Sequence, residues 1–322
     1  MPRERAYLRE VGPRDGLQLV KAFVLTERKL EWCRAVAAAG VFEIEATSFV
    51  PAAVVPQFVD AAAVLQGTAS IANAVISVLV PNLRGAELAF GLRAPKVNFV
   101  LSASELHNQA NVRRTTDESI AEFKRIIARR NELAGPRALV SAIVATSFGC
   151  TIQGDVPESR VLDVSCQLVE SGADEIFLAD TVGYGGPAQV KRLFAGLLKF
   201  TGKLPVGAHF HDTRGLGLAN VTMAVEAGVR RFDAALGGLG GCPFAPGATG
   251  NINSEDCAFL LASLGFETGI DIQKLIELRQ SVESWLPNER FFGMVARAGL
   301  PKTFRRQSSE PPQHCSALPV MI

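Results

Sequence analysis

Val161-Leu162-Asp163-Val164-Ser165-Cys166-Gln167-Leu168-Val169-Glu170-Ser171-Gly172-Ala173-Asp174-Glu175-Ile176-Phe177-Leu178-Ala179-Asp180 holds a helix, its stop signal and the strand that follows. Val161, Val164, Leu168 and Val169 share one face at helical spacing, and Pro157 upstream suits the start of that helix. Gly172 then supplies the left-handed residue that lets a helix turn back toward a strand without steric cost. The apolar run from Glu175 to Ala179 follows as that strand. The same junction recurs at Ala39-Gly40-Val41 and Ala227-Gly228-Val229, so the unit is repeated along the chain. Working outward, strands are expected near Tyr7 to Val11, Phe42 to Ser48, Val75 to Val80, Lys96 to Ser102, Ala138 to Ala145, Val206 to His211 and Arg231 to Leu236. Between them lie helical stretches such as Leu30, Cys33, Val36 and Ala37 on one face after Thr26. Eight βα units in about 250 residues fit a closed barrel. The alternative, a doubly wound open sheet, lacks an early G-x-G-x-x-G after the first strand. The expected fold class is α/β, a (β/α)8 TIM barrel with extra C-terminal helices.

Two helices are expected beyond Asn251, over Ser254 to Leu264 and Ile272 to Trp285. The first closes the barrel. The second, with Asn288 to Phe304, lies over it, so residues 1–304 read as a single domain with a helical extension from about 270. The segment 305–322 carries Pro311, Pro312 and Pro319 among Ser and Gln and reads as a poorly ordered tail, which leaves His314 and Cys315 without a role.

The 322 residues carry 33 Lys plus Arg against 32 Asp plus Glu, a net charge of +1. That balance argues against a dedicated binder of nucleic acid or acidic membranes. The chain is 48% hydrophobic and 20% charged, a globular composition. Six cysteines show no C-x-x-C spacing, so neither a structural zinc site nor a disulfide framework is indicated. No run of about 18 apolar residues appears, and the N-terminus lacks an apolar signal core, so a cytoplasmic protein is expected.

In a barrel of this kind chemistry sits at the C-terminal ends of the strands. Those ends read Glu10-Val11-Gly12-Pro13-Arg14-Asp15-Gly16-Leu17-Gln18, Glu45-Ala46-Thr47-Ser48, Ala179-Asp180-Thr181 and His209-Phe210-His211-Asp212. Two of only four histidines, His209 and His211, lie two apart on one strand and so point the same way, a metal-ligand arrangement. Asp15 and Asn251 can add oxygen ligands. Two nitrogens and two oxygens with open positions suit Mg²⁺ or Mn²⁺. Arg14, in a tight turn, is placed to stabilise charge developing on a carbonyl oxygen. The loop Gly237 to Asn251 is dense in glycine, which suits close approach to a ligand or lid movement, and Cys242 within it is the thiol expected to react. Cys33, Cys166 and Cys257 are expected on apolar helix faces in the core, and His107 either lines the mouth or sits at the start of a helix.

The stretches Glu10 to Gln18 and Gly238 to Asn251 resemble the two signatures of the 3-hydroxy-3-methylglutaryl-CoA lyase family, and the similarity runs from about Leu8 to Gly269. The resemblance implies metal ligands at Asp15, His209, His211 and Asn251, an essential arginine at Arg14, a loop cysteine at Cys242, and further site carboxylates at Glu45 and Asp180. It implies retro-Claisen cleavage of a 3-hydroxyacyl-CoA bearing a tertiary alcohol and a distal carboxylate. Asp15 or His209 would take the hydroxyl proton, Arg14 would stabilise the enolate oxygen, and Cys242 or His209 would protonate the carbon to give acetyl-CoA and a keto acid. Condensing relatives typically carry glutamate where this chain has Leu17, which favours cleavage. Arg214 stands where the best-known members have tyrosine, and Pro246 where lysine is common. The implied substrate is 3-hydroxy-3-methylglutaryl-CoA, which gives acetoacetate, with citramalyl-CoA, which gives pyruvate, second. A condensing synthase, a carboxyltransferase and a non-catalytic acyl-CoA-binding protein are the alternatives. A homodimer is the expected assembly.

Overall fold

The computed structural model describes residues 3–241 and 249–304. Eight parallel strands close into a barrel in sequence order, each paired with its neighbours and the first with the last. They are β1 (Tyr7–Glu10), β2 (Glu43–Ser48), β3 (Val75–Val80), β4 (Lys96–Ser102), β5 (Leu139–Ala145), β6 (Glu175–Asp180), β7 (Val206–Phe210) and β8 (Arg231–Ala234). The barrel-forming helices follow the strands, and β4 and β8 carry additional ones. They are α1 (Thr26–Ala38), α2 (Ala61–Gly67), α3 (Leu83–Gly91), α4 (Glu105–Val112), α5 (Thr116–Glu132), α6 (Glu158–Glu170), α7 (Pro187–Thr201), α8 (Gly217–Ala227) and α9 (Ser254–Ser263). Then come α10 (Ile272–Trp285) and the short α11 (Val295–Ala298). The (β/α)8 expectation therefore holds, with the extra C-terminal helices where the periodicity put them.

The junction reading also holds in its physical detail. Gly40, Gly172 and Gly228 follow α1, α6 and α8 with φ of 86°, 97° and 112°, left-handed values that a side chain at those positions would strain. At Gly40 an added Cβ would also lie 2.2 Å from the carbonyl oxygen of Gly269.

The main apolar core lies between the sheet and the helices, with Trp32, Phe99, Phe123, Phe194, Phe210 and Phe232 almost wholly buried. Because both faces of the strands are covered, every residue of β2 and β6 is buried, charged ones included. The inward face at the bottom of the barrel is ionic. Arg9 grips Asp233 at 2.7 Å, Lys96 pairs with Glu43 at 2.8 Å and with Glu175, and Arg231 reaches Glu175 at 2.7 Å. Buried charges persist only when paired in this way.

One expectation about the cysteines needs correcting. Cys33 and Cys257 are fully buried, but Cys166 is only half-buried and its thiol faces Glu170 one turn on. Its helix presents the adjacent Ser165 to the interior instead, where the hydroxyl bonds the Val161 carbonyl at 2.7 Å. The expected tail, with His314 and Cys315, lies outside the described residues.

The segment after α10 packs against the end of β8 and the start of α9. The Phe292 amide donates to the Gly237 carbonyl at 2.7 Å, and the Asp256 carboxylate takes the amides of Met294 and Val295. Among the described residues no helix is long and apolar enough to cross a membrane.

Candidate active site

The strand ends build the site one segment at a time. After β1, residues Gly12–Gly16 form a single wide helical turn in which the Val11 carbonyl accepts the amides of Arg14, Asp15 and Gly16 at 3.1, 2.7 and 3.2 Å. Such wide turns are frequent at functional sites because they re-aim side chains that a regular helix would carry past. Here the turn presents Arg14 and Asp15 to the barrel mouth. Glu10 holds it there: its carboxylate accepts the Gly12 amide at 2.9 Å, the Leu236 amide at 2.8 Å and the Ser254 hydroxyl at 2.5 Å. One buried side chain thus ties together the Arg14 turn, the end of β8 and the start of α9. Burial raises its pKa to about 7 despite those three bonds.

Arg14 is buried, not the solvated surface charge that an Arg-Asp pair on a loop would be. Its Nε donates to Glu45 and its Nη1 to Asp15 at 2.8 Å. Burial works against the guanidinium's charge, but Glu45 and Asp15 outweigh it and hold its pKa above the ordinary value. Glu45 is completed by the Asn98 amide at 2.8 Å.

Across the mouth, His209 and His211 project to the same side with ring centroids 5.1 Å apart. Nδ1 of His209 faces Asp233 at 3.1 Å, and Asp233 is itself clamped by two bonds from Arg9, each 2.7 Å. This leaves Nε2 of His209 turned to the site. Burial alone would favour the neutral ring, but the bond to Asp233 holds the His209 pKa above its usual value. His211 pairs in backbone register with Asn251, flanked by the Asp212 amide on the Gly250 carbonyl at 2.9 Å and the Ile252 amide on the Phe210 carbonyl at 3.1 Å. That short ladder brings the chain after the glycine loop back against β7. Nδ2 of Asn251 then donates to Asp15 at 2.8 Å and to the Leu239 carbonyl at 3.0 Å.

Asp15, His209 and His211 offer ligand atoms all within 4.8 Å of one another. The surroundings fit a cation. Oδ1 of Asn251 and Nδ1 of His211 are buried with no hydrogen-bond partner among the described residues, and a buried polar atom left in that state costs free energy. Burial would raise the Asp15 pKa, but Arg14 and the two histidines prevail and hold it well below the carboxylate range, so the site offers an ionised oxygen. One carboxylate, two imidazoles and one amide oxygen form a donor set for a divalent metal.

Asp180 ends β6 beside this group: its carbonyl accepts the His211 amide at 3.3 Å, and the charges of both histidines act on its carboxyl. Its two carboxylate oxygens accept the amides of Tyr184 and Gly185 at 2.8 and 2.9 Å, so it shapes the loop after β6, and burial raises its pKa despite those bonds. Arg214 is exposed, lies 4.6 Å over the Tyr184 ring and bonds the Val182 and Gly183 carbonyls. His107 occupies the first turn of α4, which Ser104 caps, and its Nδ1 meets the Ser102 hydroxyl at 2.7 Å. Cys242 and the Pro246 departure lie outside the described residues.

Sequence reasoning missed Glu10 as a staple, Asp233 as the partner of His209, and Asn98. Alternation along β8 carries a signal for Asp233, since it shares a face with Arg231 and sits in register with both Arg9 and His209.

With this geometry in place, comparison with known proteins decides the family. A family model described as HMGL-like matches residues 5–282. The chain belongs to the HMGL-like family. It is 36% identical over 280 residues to the hydroxymethylglutaryl-CoA lyase YngG of Bacillus subtilis, covering 87% of this chain and 93% of that one. It is 38% identical over 277 residues to the mitochondrial hydroxymethylglutaryl-CoA lyase of Gallus gallus, covering 85% and 91%. Among solved structures, an HMG-CoA lyase from Acinetobacter baumannii in complex with coenzyme A and 3-methylmalate superposes with a TM-score of 0.87 at 38% identity, covering 94% of this chain and 98% of that one. The resemblance carried by the Arg14 and glycine-loop stretches is thus a family relationship across most of the chain. The chain is an enzyme of the carbon-carbon lyase type.

Proposed function

We propose that the protein cleaves 3-hydroxy-3-methylglutaryl-CoA to acetyl-CoA and acetoacetate with a divalent cation, Mg²⁺ or Mn²⁺, held by Asp15, His209, His211 and Asn251. The observation that carries the reading is the convergence of those four side chains beside a buried, paired arginine at one barrel mouth. A cation bound there supplies Lewis-acid polarisation of the substrate hydroxyl. The protein's own groups do the rest. Of the Asp15 and His209 pair, Asp15 is the one to take the hydroxyl proton, because His209 has Nδ1 on Asp233 and Nε2 turned to the cation. As that oxygen becomes a ketone, the bond between C2 and C3 breaks and its electron pair moves onto the thioester as an enolate. Arg14, fixed by Glu45 and Asp15, has its charge placed to meet the enolate oxygen without reorganising. An acid at the mouth returns a proton to C2; Cys242 is assigned that part from the sequence. Within this reading residues 1–304 act as one domain, and the protein works in the cytoplasm as a homodimer.

The test incubates the purified protein with Mg²⁺ or Mn²⁺ and 3-hydroxy-3-methylglutaryl-CoA and follows acetyl-CoA and acetoacetate by mass spectrometry. Both products are expected in equal amounts, and His209→Ala should abolish them while His107→Ala retains most of the rate. Absence of cleavage with either metal would overturn the proposal.

A further inference from the structure

The barrel interior has a second apolar cluster, separate from the main core, made of Ile143, Phe177 and Ala179 with Val100 packed against them. Strand register fixes where it points. Ala179 pairs with His209, so the two side chains leave the sheet on the same side, toward the lumen. Phe177, two residues earlier, shares that face. Val100, Ile143 and Phe177 then follow one another in register across β4, β5 and β6. Phe177 is paired with Gly207, where any Cβ would lie 2.2 Å from the ring, and Arg9 stacks 4.1 Å from its centroid below. The ring is the floor, and Val100 and Ile143 are the wall that rises from it. Val100 is the member left partly exposed to the lumen.

Among the described residues the one other large apolar side chain on this side is Leu79 of β3, in register with Asn98, whose amide reaches Glu45 in the lumen. The sides from β7 through β8 and β1 to β2 carry His209, Asp233, Arg9, Glu43 and Glu45. The deep cations Arg9, Lys96 and Arg231 are each already paired with interior carboxylates. A tertiary carbinol bound at this mouth presents its hydroxyl to the metal ligands and its thioester oxygen to Arg14. An uncharged alkyl substituent meets its apolar surface on the side from β3 to β6, where Val100, Ile143 and Phe177 make the continuous part of it.

We infer that Val100, Ile143 and Phe177 form a specificity wall that seats the C3 methyl group of the substrate, so that the protein selects tertiary over secondary 3-hydroxyacyl-CoA esters. This rests on the lyase reading above and adds to it which side of the barrel reads the carbinol carbon.

The experiment compares kcat/KM for 3-hydroxy-3-methylglutaryl-CoA and for 3-hydroxyglutaryl-CoA, which lacks the methyl, in wild type, Val100→Thr and Ile143→Thr. A methyl seated in an apolar pocket is worth about tenfold or more, so the wild-type ratio should favour the methylated substrate by that factor. Each threonine places a hydroxyl where the methyl sits and should lower the ratio by about fourfold. Both substrates are read on one preparation, so loss of folded protein lowers the two rates together and leaves the ratio unchanged. A wild-type ratio near one, or a ratio that stays within twofold of wild type in both variants, overturns the assignment. Cleavage of neither substrate by the wild type overturns the lyase reading instead, and the wall with it.

Discussion

Replacing Asp233 with Asn changes one atom's chemistry in a side chain that touches no substrate, yet the structure makes a sharp demand of it. Asp233 offers one oxygen to Nε of Arg9 and the other to Nη2, both at 2.7 Å, and the second oxygen also faces Nδ1 of His209 at 3.1 Å. An asparagine has a single oxygen, which Arg9 must claim because guanidinium offers only donors. The amide NH₂ then points at His209 and requires a bare Nδ1, which moves the ring proton to Nε2, the nitrogen turned toward Asp15 and His211. A protonated nitrogen binds no metal, and loss of such a carboxylate behind a ligating histidine typically costs about 10- to 100-fold in metal affinity. Asp233→Asn also leaves Arg9 with Glu43 at 3.5 Å and Glu175 at 4.0 Å, so the stability lost should be at most the roughly 3–5 kcal/mol of a broken buried pair. The paired carboxylate has its pKa lowered, burial notwithstanding, by Arg9 and His209. Its contribution is therefore present above the unfolded carboxylate pKa and fades as pH falls through the folded one, so the melting curves of wild type and variant should converge in acid. Mn²⁺ binding followed by loss of the free-ion electron paramagnetic resonance signal measures the first effect, and melting without metal across pH the second. A folded variant that binds Mn²⁺ within twofold of wild type would refute the tautomer argument.

Three further expectations come from the same residues. Glu10 has its pKa raised from the usual 4.5 to about 7 by burial, so the folded state is favoured below 4.5 and loses roughly 3 kcal/mol as pH rises through that window. Glu10→Gln, which keeps the carbonyl acceptor and can donate to Ser254, should flatten that slope; an unchanged slope would place the titration elsewhere. Arg14→Lys removes the fork that reaches Glu45 and Asp15 together, and should lower kcat by about 10²- to 10³-fold while Mn²⁺ still binds; a near-normal kcat would remove Arg14 from the chemistry. Gly207→Ala drives a methyl into the Phe177 ring 2.2 Å away and should cost about 1–3 kcal/mol by thermal melt, with Phe177→Leu restoring part of it; absence of rescue would show the clash is not the cause.

The elements were legible because each leaves a local trace. Helix periodicity and the glycines at 40, 172 and 228 announce where the chain turns back, and those residues do adopt the left-handed conformation that their identity suggests. The proposed site residues Arg14, Asp15, His209, His211 and Asn251 drew notice for a different reason: they fall at strand ends, where this architecture gathers chemistry. What the sequence hid is pairing across the barrel. Glu10 reads as an ordinary strand residue until the fold brings Leu236 and Ser254, each more than two hundred residues away, to its two oxygens beside the Gly12 amide. Asp180 adds a second kind of hidden pairing, since a carboxylate at a strand end gives no sign in the sequence that the amides of Tyr184 and Gly185 meet its two oxygens. The apolar wall was hidden too, because Val100, Ile143 and Phe177 read like core residues and only register shows that they face inward.

The inward charges explain why a cation belongs at the mouth and not deeper. At the bottom, the cations Arg9, Lys96 and Arg231 meet the carboxylates Glu43, Glu175 and Asp233, three against three, a closed set in which each charge has a partner. One layer up, Arg14 is shared between Glu45 and Asp15, which leaves an excess of one negative charge beside two imidazoles and an unpartnered amide oxygen. In a low-dielectric interior that excess calls for positive charge, and a divalent ion reaches it with the ligands already facing inward. The chain's overall charge of +1 carries none of this information. The proposed function depends on where the closed barrel leaves its balance incomplete, and the place the charges point to is the ring of Asp15, His209, His211 and Asn251.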